Sequence, residues 1–82
     1  MIPIEITYNG KPFQPVGDGM GTAILYDAKM MVAKKLAPFE NEIATSGGSI
    51  ELRATGANYE NEVVLKGMAD ELIEKLKEAL TR

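Results

Sequence analysis

Neither cysteine nor histidine occurs in this chain of 82 residues. Without cysteine no disulfide can supplement the core. With histidine missing too, a structural zinc site would have only carboxylates as ligands. The same two absences remove the usual general base and the usual soft nucleophile. The only serines, Ser46 and Ser49, stand in a glycine-rich stretch with no base identifiable nearby. Carboxylate-only catalysis would need a paired Asp/Glu cleft, for which so small a domain has little room. The composition therefore points away from an enzyme and implies no cofactor.

Long apolar runs are missing as well. The richest stretch, Ala23 to Ala37, is interrupted by Asp27, Lys29, Lys34 and Lys35, which excludes a membrane span there. The opening Met1-Ile2-Pro3-Ile4-Glu5 lacks the basic region and apolar run of a signal peptide. A cytoplasmic protein is expected, and the lack of cysteine is compatible with that compartment. Basic residues are outnumbered, nine against twelve acidic ones, for a net charge of −3. Such a surface repels phosphate backbones unless its cations gather on one face, and the only adjacent pair is Lys34-Lys35.

What is present reads as one α+β domain over residues 1–82, near the lower size limit for a self-sufficient core. Ile2, Ile4, Ile6 and Tyr8 alternate with polar positions or proline, the period of a strand with one buried face. Asn9-Gly10 suits the two-residue hairpin turn, which demands positive φ. The returning segment, Lys11 to Val16, holds Pro12 and Pro15 and must be a short edge strand or an extended arm. After the flexible Gly17-Asp18-Gly19-Met20-Gly21, a helix is predicted from Thr22 as N-cap to Ala37, where Pro38 disfavours continuation. Phe39 to Ala44 can add a further turn. Thr45 to Ser49 reads as a mobile loop.

Ile50, Leu52 and Ala54 alternate with Glu51, Arg53 and Thr55, giving another half-buried strand. A turn at Thr55 to Asn58 leads into a strand whose inward face carries Tyr59, Val63 and Leu65. The last helix spans Ala69 to Leu80, with Leu72, Ile73, Leu76, Ala79 and Leu80 on one stripe. Glu71 and Lys75 sit one turn apart in the favourable order. The order is ββα–ββα, expected as a small, mostly antiparallel sheet with both helices on one face. A faint echo, Ile4-Glu5-Ile6 with Ile50-Glu51-Leu52 and Gly10 with Gly56, fits either a duplicated ββα unit or chance.

Two motifs invite sharper readings and fail them. Gly17 to Thr22 lies before a helix, where backbone N–H groups attract anions. It lacks the Lys-Ser/Thr of a phosphate-binding loop, and Asp18 places negative charge where phosphate would sit, so a glycine hinge is the better reading. Asn58, Glu60 and Glu62 share a strand face with Glu51 across from them. Ligands on a flat face point in parallel, however, whereas a cation needs them to converge. Arg53 and Lys66 offset these acids more simply as cross-strand pairs.

The first helix is the informative element. Ile24, Leu25, Ala28, Met31, Val32 and Leu36 share a broad face that packs on the sheet. Opposite them Tyr26, Met30, Ala33 and Ala37 form a second apolar stripe, with Ala23 at its edge. A helix apolar nearly all round is either buried on both sides or presents a contact surface. In one reading the Phe13 arm or the loop at Phe39 folds over this stripe. In the other, Tyr26, Met30, Ala33 and Ala37 meet another protein chain, as a homodimer or on a larger protein. A nucleic-acid-binding module using Lys11, Lys29, Lys34, Lys35 and Arg53 is the alternative, without an aromatic ladder to support it.

Overall fold

The computed structural model describes residues 2–14, 17 and 19–82. It is an α+β fold in which β1 (Ile4–Tyr8) and β2 (Lys11–Pro12) precede α1 (Met20–Leu36). A 3-10 turn (Ala37–Phe39) and a short α2 (Glu40–Ser46) follow, then β3 (Ser49–Thr55), β4 (Glu60–Lys66) and α3 (Asp70–Leu80). No described helix is long and apolar enough to cross a membrane.

The four strands lie in the order β2-β1-β3-β4. Both hairpins are antiparallel, yet the central pair β1–β3 is parallel, so the sheet is mixed and not mostly antiparallel. The reason lies in the path of the chain. The strand-to-strand link from β1 to β3 passes through β2 and the α1 crossover, and a crossover of that length returns the chain in the same direction. The parallel register pairs Ile4 with Ile50, Glu5 with Glu51 and Ile6 with Leu52. The echo seen in the sequence thus joins residues that lie side by side. It does not describe two copies of one unit. With β1 and β3 parallel and both long helices on one face, β2 and β4 fall on opposite outer edges, and no rotation superimposes the two ββα units.

One face of this sheet is covered and the other is open. Ile4, Ile6, Ile50, Leu52 and Ala54 meet Leu25, Val32 and Leu36 of α1 and Leu76 and Ala79 of α3 in a single core. At about 25 cal/mol per Å² of apolar surface removed from water, this layer is the main source of stability. The opposite face carries Glu5, Thr7, Glu51, Arg53, Glu62 and Lys66 by the alternation of the strands.

Turn chemistry sets the strand ends. Asn9 (φ 50°) and Gly10 (φ 83°) both adopt left-handed backbone, as the two-residue hairpin requires. Lys11 and Pro12 alone pair with β1, and the Phe13 amide adds one bond to the Ile6 carbonyl at 2.9 Å. The expected arm through Pro15 and Val16, and Asp18 of the glycine stretch, lie outside the described residues. Helix α1 starts two residues earlier than Thr22, with Gly19 as N-cap and no side-chain cap. Gly21 is accommodated inside it because the Tyr59 ring crosses there; a Cβ at Gly21 would come within 2.5 Å of Tyr59 Cζ. That ring stacks on Tyr8, centroids 5.0 Å apart, and Tyr8 Oη donates to the Gly56 carbonyl at 2.7 Å.

Thr45 to Ser49 is not the loop expected from its composition. Thr45 and Ser46 complete α2, Gly47 closes it in left-handed conformation, and Ser49 already belongs to β3. Ser46 organises this tight connection, donating to the Ile43 carbonyl at 2.6 Å and accepting from the Gly48 amide at 3.0 Å. Lys75 pairs with Glu42 of α2 at 3.6 Å, across elements.

Candidate functional site

Helix α1 meets the sheet with a narrow stripe. Gly21, Leu25, Val32 and Leu36 are buried, and residues about a quarter turn away are already half-buried. Met31, expected on the core face, is instead 55% exposed. It lies about 120° round the helix from Leu25, beyond the width that one sheet surface covers. Met20 is 74% exposed on the same flank.

On the other flank Tyr26 is 50% and Met30 42% exposed, Ala37 is exposed and Ala33 half-buried. Among the described residues, neither Phe13 nor Phe39 closes over them. Phe13 and Gln14 share with Tyr26 only an open recess beside β1. Phe39 packs inward against the core. A shallow groove of ≈ 630 Å³ follows the helix, lined by Met30, Met31, Ala33 and Ala37 with Lys34 and Glu40 as its polar members. Among the described residues, the large apolar side chains with substantial exposure are Met20, Tyr26, Met30 and Met31, and all four belong to α1. Met20 and Met31 extend the surface beyond the four residues read from the sequence. Their signal was present in their angular distance from Leu25.

Two charges punctuate this surface. Asp27 and Lys34 are exposed, seven residues apart, and therefore nearly aligned on the helix. Neither has an ion-pair partner among the described residues.

A second cluster sits on the open face of the sheet. Glu51 is 7% exposed at its side chain, although its strand position faces away from the helices. Its neighbours roof it over. Arg53 donates to it at 3.1 Å, Lys66 Nζ lies at 2.5 Å and Thr7 Oγ1 donates at 2.7 Å. The Arg53 hydrogen bond, then those from Lys66 and Thr7, hold the Glu51 carboxyl down to about 2. Arg53 is correspondingly raised. These contacts tie the Glu51 carboxylate into a structural knot, its charge met by Arg53 and Lys66 and its second hydrogen bond by Thr7. Among the described residues no three acidic side chains converge on a point where a cation could sit.

No family model, curated protein or solved structure matches this chain.

The fold disperses the basic residues considered for nucleic acid. Lys11 lies on the hairpin and Lys29 beside the β1 edge. Lys34 faces outward from α1. Lys35 donates to the Leu80 and Arg82 carbonyls at 3.1 and 2.9 Å, capping the C-terminus of α3. Arg53 is bound to Glu51 on the far side of the sheet. Two of the five cations are thus engaged by the protein itself, and the five do not form one field.

Proposed function

We infer that this chain is a non-catalytic, cytoplasmic protein-interaction domain that pairs with a second copy of itself through the outer face of α1. The observation that supports this is the concentration of exposed large apolar side chains on one helix. Isolated exposed hydrophobes need no explanation, but a contiguous apolar strip on a helix marks a contact surface. Methionine and tyrosine suit such a role, the first by its adaptable shape and the second by its apolar body with a polar tip. A closed two-fold pair is the commonest way for identical chains to bury such a strip.

A patch of about a tenth of the 5512 Å² surface would bury roughly 550 Å² per protomer, at the low end of interface sizes. That size favours a reversible pair with a Kd on the order of micromolar. Light scattering at about 200 µM, well above such a Kd, should give close to twice the chain mass. Tyr26→Glu combined with Met30→Glu should give the monomer mass, with stability within about 0.5 kcal/mol because both sites are exposed. A monomer for wild type and variant alike would refute the reading.

A further inference from the structure

We propose that the two copies pair with their α1 helices antiparallel about a two-fold axis between Met30 and Met31, joined by reciprocal Asp27–Lys34 ion pairs. This rests on the homodimer reading above and adds its register. Two charges without an ion-pair partner among the described residues set this register. Asp27 and Lys34 are separated by seven residues, roughly 10.5 Å along the helix, and lie within about 20° of one another around it. Their midpoint falls between Met30 and Met31. Reversing a second helix about that midpoint sets Asp27 of each copy level with the partner's Lys34, twice over by symmetry. A parallel pairing would instead set Asp27 against Asp27 and Lys34 against Lys34.

Shape agrees with charge in the same register. A two-fold axis across antiparallel helices brings like flanks together, so the Tyr26 flank of one copy meets the Tyr26 flank of the other. Tyr26 then stands level with position 35 of the partner, between the partner's Ala33 and the partner's Ala37. The largest exposed side chain on this flank thus meets the smallest pair, while Met30, on the same flank, lies beside the two-fold axis next to the partner's Met30. Two independent features, sign of charge and size of side chain, select one alignment.

The test uses charge exchange. Asp27→Lys alone places two lysines at each contact, and Lys34→Asp alone places two aspartates there. Each variant by itself should dimerise roughly ten- to thirty-fold more weakly than wild type, from two exposed pairs turned from attraction to repulsion. Mixed in equal amounts, the two variants restore both contacts and should form the heterodimer with near wild-type affinity, read by sedimentation equilibrium with one variant fluorescently labelled. Both positions are exposed, so circular dichroism should show an unchanged monomer fold. Single variants that dimerise like wild type, or a mixture no tighter than its components, would overturn this register while leaving the homodimer standing. A wild type that stays monomeric would remove both.

Discussion

The two-sided character of α1 can be tested at adjacent residues. Leu25 is fully buried beneath the helix, and Tyr26, the next residue, is 50% exposed on its flank. Leu25→Ala removes three buried carbons, about 2.4 kcal/mol of transfer free energy at ~0.8 kcal/mol each. The space left behind adds a cavity term, for a total of about 3–4 kcal/mol. A chain of this length has a total stability of only ~4–12 kcal/mol, so the variant should lose between about a quarter and nearly all of it. The melting temperature should fall by roughly 15–25 °C, from about 4–8 °C per kcal/mol in a domain this small. Tyr26→Ala, by contrast, should change monomer stability by no more than about 0.5 kcal/mol. Urea titration followed by far-UV circular dichroism measures both, at a concentration low enough that monomer dominates. A cost below about 1 kcal/mol for Leu25→Ala, or an equal cost for Tyr26→Ala, would show that the faces of α1 have been assigned wrongly.

Two further perturbations probe the sheet. Glu51 is depressed from an ordinary value of 4.5 to about 2 in the folded chain, so its contribution to stability is complete above pH ~5 and fades as pH falls toward 2. The stability gap between wild type and Glu51→Gln should therefore be widest at neutral pH and shrink between pH 5 and pH 2, and a gap that stays constant across that range contradicts the assignment. Gly21→Ala should destabilise by about 1–2 kcal/mol, although alanine is the better helix former by ~1 kcal/mol, because its methyl group meets the Tyr59 ring. That cost should largely vanish in a Tyr59→Ala background, and a stabilising Gly21→Ala would mean the ring yields freely.

Local chemistry made much of this fold legible. The alternation of Ile4 and Ile6, and of Ile50, Leu52 and Ala54, is a local pattern, and the core is built on those residues. Asn9-Gly10 can be read because only a few residues tolerate its backbone angles. Sheet order is different in kind. Nothing in a period of two says which neighbour a strand takes, so the parallel β1–β3 pairing did not show. Thr22 looked like the cap because its side chain can accept from a backbone amide. The helix instead starts at Met20, and Gly21 in its first turn leaves room for the ring of Tyr59, 38 positions away in the chain.

The same distinction holds at the surface. The stripe of Tyr26, Met30, Ala33 and Ala37 follows from helical spacing alone, whereas its continuation through Met20 and Met31 depends on how narrow a band of α1 the sheet covers. Glu51 reads as a solvent-facing acid in the alternation of β3. Its enclosure by Thr7, Arg53 and Lys66 involves three strands and could emerge only once their register was known.

The parallel partnership of β1 and β3 also bears on how quickly the chain can find this shape. Hairpins and helices gather neighbours that are close along the backbone, but Tyr8 and Ser49 are separated by about 40 residues, and drawing such a span shut costs on the order of 3 kcal/mol of chain entropy. The β3–β4 hairpin and α3 can assemble before that toll is met, while β1 has no lasting place until it is. The arrival of this one five-residue strand, across the longest span in the sheet, is the step expected to limit assembly.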